Sequence, residues 1–529
     1  MKRSAPGEAL GDPSMGPNMG PNMNMTGSMD PPAPGPGDVT VVRGSVRSPA
    51  RTIAVGKTLR FDPNADVTME MTGNLVVEGT LEMRPNQGVT HTLRFVGIDE
   101  SRFVGGGMEV LGSDVGLWVN GRGRLDLQGE PRAGWNRSGK DPTWKPTDEV
   151  LTTPFAPGNH STFASYSGHL ATVSAPGGRV LTQEAFNLTR SVRIEGSPSG
   201  RTHVTIMSSA PQTVRYAAIR YVGPRHNGLP VLGRYGLHFH HCGDGSRGSS
   251  VEGTVVRDCG NHAFVPHGSH GVTMRDCVSY NTAETAFWWD EGARTDDTLW
   301  DHCLAALLPD NSSRANTNGF LLGVGAGNTC MDSVCAGNAN SDPGAGFQWP
   351  SQANQQPENV WTFQDCIAHN NLGNGIRVWE NDFHHHLIQG FVGFHNGLGV
   401  FHGAYRNRFA YTDSVCFENG SGLELWAVSQ AASVDVIRFD GCRFDGVKIG
   451  HHAEPPMAPG VFADSNLGRV VLDEDLGPGW YDFIRCDLEP SDWKVERMNP
   501  ASRYRVQRLD GTAYRVDQSG TTTPIPAFA

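Results

Sequence analysis

From Gly236 onward a short pattern recurs every 23 to 33 residues: a small residue, an apolar one, a variable one, then a second apolar one. The first three instances are Gly236-Leu237-His238-Phe239-His240, Ala263-Phe264-Val265-Pro266-His267 and Ala286-Phe287-Trp288-Trp289-Asp290. Gly319, Gly346, Gly375, Gly399, Gly422 and Gly446 open the others. The column after the small residue is apolar throughout: Leu237, Phe264, Phe287, Phe320, Phe347, Ile376, Val400, Leu423 and Val447. Two positions on, seven of the nine are apolar again, with Pro266 and His402 as exceptions. Strand side chains alternate faces, so both columns are expected to point inward. The column between them mixes His238, Gln348, Arg377, Glu424 and Lys448 with apolar residues and is expected to face solvent. A repeat of this kind, with loop insertions varying its length, predicts an all-β fold: a right-handed single-stranded parallel β-helix. Asn281, Asn370, Asn396 and Asn419 precede successive strands and are expected to form an internal amide ladder at one turn.

Upstream the pattern changes twice. Residues 1–37 are Gly-Pro-Asn-Met repeats with little apolar surface to bury, which predicts a disordered linker. Residues 38–150 alternate in short strands, as from Asn74 to Met83, with glycines closely spaced after Gly105; they read as the first, irregular coils. The helix proper is expected over 151–465 and a β-rich cap over 466–529.

Composition agrees with this reading: 66 Gly and only 19% charged residues suit a chain of strands and tight turns. A formal charge of −12 argues against a nucleic-acid partner, and no apolar run approaches the ~18 residues of a membrane span. Met1-Lys2-Arg3 lacks a following apolar core, so secretion or surface display is inferred from fold and substrate. All ten Cys lie at or after Cys242, many in one local context: Asp258-Cys259, Asp276-Cys277, His302-Cys303, Asp365-Cys366 and Gly441-Cys442. That repetition predicts buried free thiols at one repeated position.

The fourth column begins His240, His267, Asp290, three side chains expected in a row on the outer wall, about 4.8 Å apart, with His238 beside them. Such a cluster could hold a divalent metal, zinc or calcium, through His238, His240, His267 and Asp290. It could equally supply a general acid and base through His240, His267, Asp290 and Glu291. Arg234, Arg377, Trp288 and Trp379 are candidates for gripping a sugar chain. His241, His262 and His270 are expected in flanking loops, as is the run His384-His385-His386.

Here the residues resemble a known family. Gly233-Arg234-Tyr235-Gly236-Leu237-His238-Phe239-His240, His267-Gly268-Ser269-His270-Gly271, Asp290-Glu291-Gly292 and Asp301-His302-Cys303-Leu304 are similar to segments of the cell-surface hyaluronidase and cell-migration-inducing hyaluronan-binding proteins. Gly121-Arg122-Gly123-Arg124-Leu125-Asp126-Leu127-Gln128-Gly129 resembles the glycine-rich G8 module of that family. The match departs at Gly236 (Pro in relatives), at Thr285 (His) and in the order of Asp290-Glu291. The resemblance implies a β-helix that binds or depolymerises hyaluronan or another uronic-acid glycan, as hydrolase or lyase; the alternative is a non-catalytic glycan-binding or adhesin module.

Overall fold

The inward columns build the molecule. The computed structural model describes residues 38–290, 293–311, 317–349, 360–379, 386–403, 409–426, 437–450 and 458–528; the low-complexity stretch 1–37 lies outside them. Each coil gives one strand to each of three long sheets, as in Leu237–Gly243, Ser250–Glu252 and Val255–Cys259, before Phe264–Ser269 returns beside the first. The pairing is parallel, and its register is the one the repeat predicts: Leu237 opposite Phe264, then Phe287, Phe320, Phe347, Ile376, Val400, Leu423 and Val447. Phe264, Phe287, Phe320 and Phe347 stack with ring centroids 4.6–4.9 Å apart and no solvent exposure. Each such burial contributes about 1.5–3 kcal/mol. His402, the polar exception in the second inward column, is buried and bonds Tyr411 Oη at 2.9 Å. The fold is thus a parallel β-helix, its only helical turns among the described residues being three short 3-10 segments.

Coils begin at once: Val39–Val42 pairs in parallel with Thr58–Phe61, and Arg124–Gln128 joins both Thr80–Met83 and Thr213–Arg215. The segment resembling G8 is therefore stacked on the same sheets as the later coils. Parallel pairing also runs past residue 465 as far as Arg503–Gln507, after which antiparallel Ala513–Val516 and Thr522–Pro524 extend that sheet.

Between Gln128 and Val192 the chain leaves the helix and forms small antiparallel sheets. Trp135, Phe155, Leu181, Phe186 and Leu188 of this insert pack on an outward apolar stripe of one wall: Val255, Val278, Leu304, Val334, Ile367 and Val392. Buried Arg190 donates to the carbonyls of Gly253, Asn187 and Thr189, tying the insert's end to the wall.

The corners explain the cysteines. Asp276, His302, Asp365, Gly441 and Arg485 sit at φ 50–63°, the left-handed region in which Asp and Gly are favoured, and each is followed by a buried thiol. All ten thiols are free; Cys242 alone is half-buried. Asp258-Cys259 belongs to a second corner, with Asn281, Asn370, His395 and Glu418 at its left-handed position. The amide ladder forms there with Asn371 in place of Asn370 and without Asn281. Asn371 donates to Asn396 Oδ1 at 2.8 Å, and Asn396 to Asn419 Oδ1 at 3.0 Å, whereas Asn281 and Asn370 take the left-handed turn itself. In the run of three histidines, His384 and His385 lie outside the described residues. His386, expected in a loop, starts the strand His386–Gln389 and is buried beside Phe409.

The column expected to face solvent points away from the core but is largely shielded: Val265 is fully buried, and Leu321, Gln348 and Arg377 are 2–5% exposed. Alternation decides the side of the sheet, not how covered that side is.

Candidate functional site

Two neighbouring strands bring the histidines together. Leu237–Gly243 and Phe264–Ser269 run in register, with His238 opposite Val265 and His240 opposite His267. Leu237, Phe239 and Phe264 anchor them from the inner face, which leaves His238, His240 and His267 on the outer one. The register then slips between His240 and Gly243; such a bulge re-aims side chains. Asp290 comes from the next coil, two residues beyond the strand Phe287–Trp288, at φ 66°, a left-handed conformation Asp tolerates.

The polar atoms form a short chain. His238 Nε2 lies 3.3 Å from His240 Nδ1, which lies 3.2 Å from His267 Nδ1, which lies 3.0 Å from Asp290 Oδ2. The three imidazole nitrogens all fall within 4.8 Å of one another, and these are the residues that could hold a metal ion. His238 Nδ1 meets the carbonyl of Gly233 at 2.9 Å, which fixes that nitrogen as the protonated one and leaves Nε2 bare. Burial, and after it the neighbouring imidazoles, pushes His240 down to about 3 and His238 well below the usual histidine range, so both rings are neutral bases at neutral pH.

Shielding is heavier than a row of wall side chains implies. His238 is 1% exposed, His267 and Asp290 each 8%, and His240 is half-buried. Tyr235 packs on His238 with centroids 4.6 Å apart, and Thr295 pins the following loop by accepting from Gly268 N–H and donating to the Pro266 carbonyl. Exposed His241 lies across His267 at 4.3 Å and beside His240 at 4.6 Å. Strict alternation assigns it no column; the bulge brings it to the site. Its ring passes over Gly268, where a Cβ would come within 2.7 Å of Nδ1. His270 accepts the Asp296 backbone N–H, and His262 stacks on Trp288.

Other candidates separate from this cluster. Glu291 lies outside the described residues. Arg234 is no surface group: it is 1% exposed, paired with Asp114 at 2.8 Å and set over the Trp118 ring, because a guanidinium behind the wall needs a carboxylate partner. One face of Trp288 is taken by His262 at 3.6 Å and its surroundings by Tyr235, so it is a packing residue rather than an open platform. Arg377 is 5% exposed and sits against Trp379 and Phe401, with Trp426 beside them. This second group stands four to seven coils from the histidines, about 19–34 Å away at ~4.8 Å per coil.

This geometry coincides with a likeness in sequence. Residues 202–375 match the CEMIP beta-helix family model. The matched segment contains the whole cluster and the corners that support it. Human cell migration-inducing and hyaluronan-binding protein is 36% identical over 90 residues, 16% of this chain and 6% of that protein. Human cell surface hyaluronidase CEMIP2 is 30% identical over 95 residues, 17% and 7% respectively. The similarity thus spans under a tenth of the length of these curated relatives. Among solved structures, the family 28 exopolygalacturonase of Yersinia enterocolitica aligns over 87% of this chain and 72% of its own, at 10% identity and a TM-score of 0.23. No helix among the described residues is long and apolar enough to cross a membrane.

Proposed function

We propose that this protein acts outside the cell or at its surface as a depolymerase of a uronic-acid polysaccharide, hyaluronan being the first substrate to test. The observation that carries the reading is the convergence of His238, His240, His267 and Asp290, drawn from three successive coils, inside the segment that matches the CEMIP beta-helix. The relatives' names supply hyaluronan as the glycan. A glycosidase of the usual kind places two carboxyl groups about 5–9.5 Å apart across the scissile bond. Among the described residues the hydrogen-bonded chain holds one, Asp290, and the rest of its polar atoms are imidazole nitrogens. That set favours chemistry led by histidine, with Asp290 orienting His267.

A second reading, glycan binding without turnover, draws on half-buried Trp379 and Trp426, which flank buried Arg377 and Phe401 on coils remote from the histidines. One experiment separates the two. Hyaluronan and a second uronic-acid glycan are incubated with the full chain and profiled by size, with binding measured in parallel. The parent shortens one of them, and His240→Ala and His267→Ala each slow shortening by about 10²–10⁴-fold while binding is kept. Binding by the parent with no shortening would overturn the depolymerase in favour of the binding module.

A further inference from the structure

We infer that His238, His240, His267 and Asp290 form a binding site for one divalent ion of the zinc class, and not for calcium. The inference rests on the proposed function for the cluster's role as chemical centre, but ion binding is measured without any glycan.

The first argument is spacing. A tetrahedral ion with bonds of ~2.0–2.1 Å to imidazole nitrogen holds its ligand atoms about 3.3–3.4 Å apart. Successive atoms of the chain lie 3.3, 3.2 and 3.0 Å apart, and the three nitrogens are mutually within 4.8 Å. The second is proton accounting. Hydrogens on Nδ1 of His240 and of His267 satisfy the two outer contacts, to His238 Nε2 and to Asp290. Those two N–H groups then oppose each other across the 3.2 Å middle contact. A cation among the three imidazole nitrogens removes that opposition, and Asp290, 3.0 Å from His267 Nδ1, stands beside it as a fourth donor. The third is the support: the Gly233 carbonyl orients His238 through its other nitrogen, as carbonyls do for metal-bound imidazoles.

Donor type selects the ion. Calcium takes six to eight oxygen ligands at about 2.3–2.6 Å, whereas this site offers three nitrogens and one carboxylate, a set that suits zinc and its neighbours. When bound, such an ion would supply Lewis-acid chemistry only by taking on a further ligand, since the four donors named complete a tetrahedron. The chain's own part is to hold three imidazoles and a carboxylate on one wall, under the cover of Tyr235 and the loop pinned by Thr295.

The test is elemental analysis of the full-length protein, purified without immobilised-metal chromatography, dialysed with zinc sulfate and then against excess calcium chloride. About one equivalent of zinc per chain is expected to remain, and cobalt(II) added to the stripped protein should give the intense ligand-field absorption of four-coordination. His240→Ala and His267→Ala should weaken zinc binding by more than about 100-fold, beyond the ~10–100-fold cost of losing a supporting contact. Should those variants fold poorly, Asp290→Asn, which keeps shape, should still weaken it by at least about tenfold. Stoichiometry near zero, displacement by calcium, or zinc binding unchanged in Asp290→Asn would overturn the inference. Zinc held without glycan shortening would sink only the proposed function, and glycan shortening by a protein that fails to bind zinc only the metal site.

Discussion

Glu184 reaches from the insert to His369 at 2.9 Å, its side chain 2% exposed, and also accepts from Arg137 and Thr153. Burial alone would raise its pKa, but His369, followed by Arg137 and Thr153, outweighs that and holds it to about 2. The folded value lies below the ordinary 4.5, so the unfolded chain takes up the proton first as pH falls. The contribution, about 3 kcal/mol, is complete above pH ~4.5 and lost between there and ~2. Acid unfolding followed by circular dichroism should therefore lose this increment in the parent and not in Glu184→Gln. At neutral pH that variant should be about 3–5 kcal/mol less stable, since a buried partner is left unpaired. Arg234 teaches the same lesson from the other side. Its place beside His238 in sequence reads as a substrate contact, and only the fold reveals Asp114, 120 residues earlier, as its partner.

At the level of strands and corners, the repeat was legible because the same environment returns in each coil and demands the same residue type. Left-handed corners are filled mostly by Asp, Asn and Gly, with His302, His395, Glu418 and Arg485 among the exceptions, and one set of corners is followed by an inward Cys. The amide ladder was legible as a kind of residue at a kind of turn, though not to the single position, because adjacent asparagines serve different ends. Asn370 makes the corner and donates to the insert's Ala156 and Asn159 carbonyls, while Asn371 joins the ladder. Asn396 accepts from Asn371 and donates to both Asn419 and the Ala368 carbonyl. Asn396→Ala should cost about 3 kcal/mol or more in urea denaturation, as several buried partners lose their bonds together. The bulge that brings His241 across His267 left no mark in the hydrophobic pattern, since it breaks the very alternation by which strands are read.

Across the whole molecule, one apolar core runs through the stacked coils and a second joins the insert to an outer wall. Trp135 is central to that docking: it stacks on His302 at 4.0 Å and 9°, and donates to the His302 carbonyl at 2.9 Å. Trp135→Ala should cost about 3–5 kcal/mol of docking and open residues 129–190 to limited proteolysis. Because each coil contacts chiefly its neighbours, the strand signal in circular dichroism should be preserved.

By itself the sequence determined the stack, its register and the side of the wall on which His238, His240 and His267 stand, because those follow from periodic burial and strand alternation, which are local. Only the tertiary structure decided how covered that wall is and which arginines are consumed in ion pairs. These depend on excursions that leave one coil and settle over another, and no periodicity within a coil encodes where they land.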